Sequence, residues 1–225
     1  MANNYYFPRR SFGTAGAKLT ELEWVDDRKK ESAGNATWGS ELINNQEDYS
    51  SVPGTFGSKG NMKDNACGYM AISNANQVLG VKTDFGNTSY SLNSNRGFTT
   101  LLGGTRGMNP LVIGPYYRSK GYRVGLYLNT SDVPKNGDAY IMCYLYYYKD
   151  ANGRVALGGH YIAVTYNPST DKFTAYNNKY GKAHVEDTLE KLLPEDHASF
   201  CVWAIEDPNK PQNVGSACKA YEERY

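Results

Sequence analysis

The sequence predicts an α+β fold in which helices come first and an antiparallel sheet second, an order that argues for two facing lobes. Three observations carry this. Apolar residues between 65 and 80 recur at three- and four-residue spacing, the period of a helix with one buried stripe. From residue 138 onward the chain turns to short runs rich in β-branched and aromatic residues. Turn signals such as Asn152-Gly153 lie between those runs, close enough for antiparallel neighbours.

Residues 1 to 55 are mixed and polar, with one weakly helical segment from 19 to 30, and read as an N-terminal arm or propeptide-like segment. In NACGYMAISNANQVLG, the residues Met70, Ala71, Asn74, Ala75, Val78 and Leu79 form the stripe of the first strong helix. Asp64 or Asn65 is expected to cap its start and Gly80 to stop it. A second helix is expected from about 110 to 120, because Pro110 suits a first turn and Gly121 a left-handed stop, with Leu111, Ile113 and Tyr117 packing inward. Strands are expected at 122–128, 138–148, 160–166, 172–176 and 200–205, with a short helix over 187–193. The domain that results spans 56–206, followed by a C-terminal tail at 207–225.

A chain of 225 residues suits one domain, or one domain plus an arm, with a continuous core. Its 24 basic and 23 acidic residues leave a net charge of +1, so no large field attracts phosphate backbones or anionic membranes, and nucleic acid is not an expected partner. The basic runs Arg9-Arg10 and Arg28-Lys29-Lys30 read as solvated surface, the second being flanked by Asp26, Asp27 and Glu31. No stretch approaches the roughly 20 apolar residues that cross a bilayer, and residues 1 to 10 lack the apolar core of a signal peptide. Membrane association is not expected. The 20 tyrosines and many asparagines favour an extracellular bacterial protein, its signal lying outside this numbering, over a cytoplasmic one.

The four cysteines, Cys67, Cys143, Cys201 and Cys218, form no CxxC pair, so neither a zinc knuckle nor a redox dithiol is indicated, and no metal or cofactor is expected. Cys143 and Cys201 lie in strand-like runs and read as buried, inert thiols; a disulfide among Cys143, Cys201 and Cys218 stays open for a secreted protein. Cys67 differs. At the first turn of a helix, unpaired amides and the helix dipole favour thiolate over thiol. Gly68 leaves room for a substrate backbone, and the amide of Cys67 can help to hold an oxyanion. For a Cys-Gly pair alone, a buried structural cysteine is an equal reading.

Only three histidines can serve such a thiol as base. His160 follows Gly158-Gly159 and opens HYIAVTY, at a strand end and on the face of Ile162 and Val164. His184 and His197 fall in polar connections, where surface positions explain them. A base needs a third group to hold its tautomer. Asn177, which closes the next strand on the face of Phe173 and Ala175, is the candidate; Asn178 takes its place if a bulge swaps the faces, and an Asn-Asn pair is also a common turn.

With VPGTFGSKGNMKDNACGYMAISNA and GGHYIAVTYNPSTDKFTAYNN, the chain resembles papain-like cysteine peptidases over roughly residues 50 to 206. Within them it is similar to the bacterial staphopain type and the leader-peptide peptidases of bacteriocin exporters. The resemblance implies a papain-like fold, an N-terminal helical lobe whose nucleophile helix packs against an antiparallel β-sheet lobe. It implies hydrolysis of peptide bonds in a peptide or protein substrate, by a Cys67, His160 and Asn177 triad and a thioester intermediate. It also implies that Asn61, six residues before Cys67, stands where the family has its oxyanion-hole glutamine, one methylene shorter. Two other activities fit the same residues: a catalytically impaired homologue that binds peptides, motivated by Asn61, and a transglutaminase-like acyltransferase.

Overall fold

The computed structural model describes residues 42–50, 62–83, 85–94 and 108–210. The segments 1–41 and 51–61, with Asn61 and the run VPGTFG, lie outside the described residues, as do Asp84, the connection 95–107 and residues 211–225 with Cys218. Among the described residues, four α-helices and six strands follow in order. These are α1 Met62–Asn65, α2 Cys67–Val78, α3 Phe85–Ser94, α4 Ile113–Arg118, β1 Arg123–Tyr127, β2 Ala139–Lys149, β3 Val155–Asn167, β4 Lys172–Tyr176, β5 His184–Glu186 and β6 Ala198–Glu206. The chain is therefore an α+β protein with one antiparallel six-stranded sheet, ordered β1-β6-β2-β3-β4-β5.

The sheet separates two clusters by the period of two along each strand. Ile141, Cys143, Tyr161, Cys201, Trp203 and Ile205 join the buried side chains of α2 and α4 in one cluster. Tyr140, Met142, Tyr144, Ile162, Val164, Phe173 and Ala175 form the other, closed by Val133, Leu189 and Leu192. Within α2, Tyr69, Met70 and Ile72 are completely buried, and each such side chain contributes about 1.5–3 kcal/mol on leaving water. Polar groups tie the helices together: Asn76 Nδ2 donates to the Tyr116 hydroxyl at 2.8 Å and to Thr88 Oγ1 at 3.2 Å.

Helix α2 ends as its sequence requires. Gly80 takes a φ of +70°, its amide donates to the Gln77 carbonyl at 3.1 Å, and the Val81 amide reaches back to the Asn76 carbonyl at 2.8 Å. Its start differs. Asp64 and Asn65 belong to α1, so Ala66 is the N-cap and supplies no side-chain hydrogen bond. The segment 110–120 begins as a 3-10 turn, Pro110–Val112, capped by Asn109, before α4. Ile113 and Tyr117 are buried there, but Leu111 is 75% exposed, because the tighter 3-10 period turns it away from the stripe.

Strand β3 begins at Val155, five residues before the expected start at His160. The β2–β3 ladder runs unbroken from Tyr140↔Val164 to Lys149↔Val155 and so carries the two glycines within it. The ring of Tyr146 fills the place of a side chain at Gly158, where an added Cβ would come within 2.6 Å of it. The turn after β2 is the Asn152-Gly153 signal, with Gly153 at φ +75° and Asp150 Oδ1 accepting from the amides of Asn152 and Arg154. The expected helix at 187–193 is a single 3-10 turn, Glu190–Leu192, and β5 is a short strand that no hydrophobic run announces.

Residues 42–50, part of the segment 1–55, pack into the domain. Ile43 joins the helix-side cluster, and its amide and carbonyl are both bonded by the Asn74 side chain, at 2.7 and 2.9 Å. Asn74 is 0% exposed. Asn74→Ala leaves two buried backbone groups of Ile43 unpaired and is expected to lower the unfolding free energy by about 2–4 kcal/mol in urea titrations; a loss below about 0.5 kcal/mol would mean that the segment is not held by this pair.

Candidate active site

Cys67 opens α2, and its thiol is buried, with 6% of the residue exposed. Burial pushes the thiol up to about 11, and neighbouring Cys143 adds to this. The amide of Tyr161 and the first-turn amides of Gly68 and Cys67 act in the opposite sense, by hydrogen bonding to the sulfur. Desolvation outweighs these bonds, so the buried thiol keeps its proton where the sequence leads one to expect a thiolate. The space above Gly68 is filled by Met108, whose Cβ and Cε would lie 2.7 and 2.8 Å from an added Cβ. Met108 is held in turn by its carbonyl, which accepts from the Tyr161 hydroxyl at 3.1 Å.

His160 lies on β3 directly before the residue whose amide meets the Cys67 sulfur. Its ring rests against Tyr144, its register partner on β2, with centroids 5.4 Å apart. Nε2 lies 2.6 Å from the backbone carbonyl of Asn177. A carbonyl only accepts, so the neutral ring carries its proton on Nε2 and leaves the lone pair on Nδ1. Burial holds the imidazole below its ordinary value, the Asn177 bond works against this, and His197 pushes in the same sense as burial.

His160 and Asn177 are thus brought together, through the main chain of Asn177. The strand ends at Tyr176, and Asn177 turns into the left-handed region at φ +59°, which aims its carbonyl at the ring. Its side-chain Nδ2 donates to Gln46 Oε1 at 3.2 Å, and its Oδ1 is buried without a hydrogen-bond partner among the described residues. Asn178 closes the turn, its Nδ2 bonded to the carbonyls of Ala175 and Lys182 and its Oδ1 accepting from the Tyr180 amide. Asn61 falls outside the described residues.

Two neighbours carry no motif in the sequence. Gln46 is one. His197 is the other: its ring stacks on Tyr146 at 5.0 Å and meets the edge of Tyr144 at 5.3 Å, so Tyr144 stands between two imidazoles. Burial raises the Tyr144 hydroxyl, and Cys67 raises it further. His184 lies 3.3 Å from Glu186, and its ring is tilted against that of Tyr180 with centroids 4.6 Å apart. Cys143 and Cys201 face each other across β2 and β6 as free, buried thiols. No described helix is long and apolar enough to cross a membrane. Comparison with protein-family models, curated proteins and solved structures finds no match to this chain.

Thiol and imidazole are each neutral at pH 7, because burial holds the Cys67 thiol up at about 11 and holds the His160 ring below the ordinary imidazole value. Alkylation of Cys67 by iodoacetamide is therefore expected to keep rising with pH, by about tenfold per unit, through roughly pH 9. A rate already level between about pH 5 and pH 8 would show a preformed thiolate–imidazolium pair instead.

Proposed function

We propose that the chain is a cysteine peptidase of papain-like arrangement, with Cys67 as nucleophile and His160 as general base. The observation that carries this reading is the 2.6 Å bond from His160 Nε2 to the Asn177 carbonyl, made one residue from the amide that meets the Cys67 sulfur. That bond leaves Nδ1 as the free basic nitrogen of a ring fixed on a rigid strand.

From a neutral pair, the chemistry starts with proton transfer rather than with a resident thiolate. As a peptide carbonyl approaches, His160 Nδ1 takes the thiol proton and the sulfur adds to the carbonyl carbon. The tetrahedral oxyanion forms beside the amide of Cys67 and, by the family resemblance, the side chain of Asn61. His160 then protonates the leaving amine, the carbon–nitrogen bond breaks, and a thioester remains on Cys67. Water, deprotonated by the same nitrogen, releases the acid and restores the thiol. Asn177 keeps the ring in the productive tautomer throughout, by its carbonyl.

The burial of Cys67 and the packing of Met108 over Gly68 favour a second reading, a peptide-binding homologue with an impaired site. Cleavage of a fluorogenic peptide library separates the two. The parent is expected to turn over peptides, and Cys67→Ala and His160→Ala each to lose at least about a thousandfold in kcat/KM. Cleavage by Cys67→Ala at the parent rate would end the peptidase assignment. A parent that binds peptides, neither cleaves them nor reacts with a peptide electrophile, belongs to the binding reading, while release as an amine adduct in the presence of a primary amine marks acyl transfer.

A further inference from the structure

Gln46 touches both halves of the site from a segment that no motif marks. It opens a 3-10 turn, Gln46–Tyr49, and is 9% exposed. Its Nε2 donates to the carbonyl of Met62 at 3.3 Å and to that of Lys63, both in α1, the turn just ahead of Cys67. Its Oε1 accepts from Asn177 Nδ2 at 3.2 Å, across 131 residues of sequence. Carbonyls only accept, so they fix which end of the Gln46 amide is nitrogen, and the remaining oxygen then fixes the amide of Asn177. The network admits one orientation.

Asn177 bears two costs at once: a non-glycine residue in the left-handed region and a buried Oδ1 with no partner among the described residues. A residue kept for packing alone gains from neither. What the arrangement secures is the direction of its carbonyl, on which the ring of His160 depends. Gln46 also cannot be an oxyanion donor in place of Asn61, because both hydrogens of its Nε2 are engaged by carbonyls. The segment that carries it is anchored independently, by Asn74 on Ile43 and by Asn45, whose side chain accepts from the Glu47 amide at 3.1 Å.

We infer that Gln46 is a positioning residue, which fixes Asn177 and through its carbonyl the orientation and tautomer of His160, so that the site is complete only while residues 42–50 are docked. The role assigned to His160 rests on the peptidase reading; the geometry of the ring does not. The test is therefore nitrogen NMR of the His160 imidazole in the full chain, in the parent, Gln46→Met and Asn177→Gly. Methionine keeps the volume and loses the hydrogen bonds; glycine keeps the carbonyl and tolerates the left-handed turn, but loses the contact with Gln46.

The parent ring is expected as one Nε2–H tautomer, each variant as a mixture of the two tautomers, and the double variant no more mixed than either single one. A fall of roughly tenfold in kcat/KM accompanies this in each single variant, the factor carried by about one hydrogen bond to a positioned group. An unchanged single tautomer in both Gln46→Met and Asn177→Gly overturns the inference. If one variant fails to fold, the other carries the same prediction. Mixed tautomers in the variants of a chain that cleaves nothing would uphold Gln46 while the peptidase reading fell.

Discussion

The β2–β3 ladder decides where everything else in the molecule lies. Its ten pairs hold Tyr144 opposite His160 and Cys143 opposite Tyr161, and the alternation of faces does the rest. Tyr161 turns toward α2, where its amide meets the Cys67 sulfur, while His160 leaves from the opposite face, toward Tyr144. A slip of one residue would exchange the two and send the imidazole into the core beneath the helix. The ladder can hold this register through Gly158 and Gly159 because Tyr146 covers the first of them, so the strand stays paired where it would otherwise lose side-chain contact.

Burial and backbone dipoles compete at Cys67, and their balance sets the resting state. Helix start and strand together aim three amides at the sulfur, an arrangement that in a wetter site makes a stable thiolate. Here the thiol is enclosed by the helix-side cluster, and the cost of a buried charge is larger than the sum of those bonds. The amides are not wasted. They offset part of the cost of burial, so the thiol is raised only to about 11.

The legibility of the sequence follows from the range of each interaction. Helix α2 and its Gly80 stop, the Asn152-Gly153 turn and five of the six strands rest on periodicity and turn chemistry, which are local and visible in the chain. The start of β3 was not visible, because glycines read as punctuation until a cross-strand ring is known to cover one of them. Leu111 turned outward for the same kind of reason, since the helical period does not reveal where a 3-10 turn replaces it. At the site, His160 and Asn177 were legible as residue types, but the group that Asn177 offers, a carbonyl aimed by a positive φ, was not. Gln46 left no trace, because its bonds to Met62, Lys63 and Asn177 join segments that no local pattern relates. His197 was legible only as a polar residue in a turn, although its ring stacks beside the same tyrosine as His160.

That last pairing also bears on the charge of His160. Tyr144 lies between His160 and His197, at 5.4 and 5.3 Å, so a proton on either imidazole opposes one on the other. Burial lowers both rings first, and the mutual repulsion adds to the lowering of His160. Only the Asn177 bond favours the cation. An imidazole kept neutral at pH 7, with its proton pinned on Nε2, carries its lone pair on Nδ1, the nitrogen that would accept the thiol proton under the proposed peptidase reading. The same surroundings therefore hold both groups neutral at rest, the thiol by burial and the imidazole by burial and by His197.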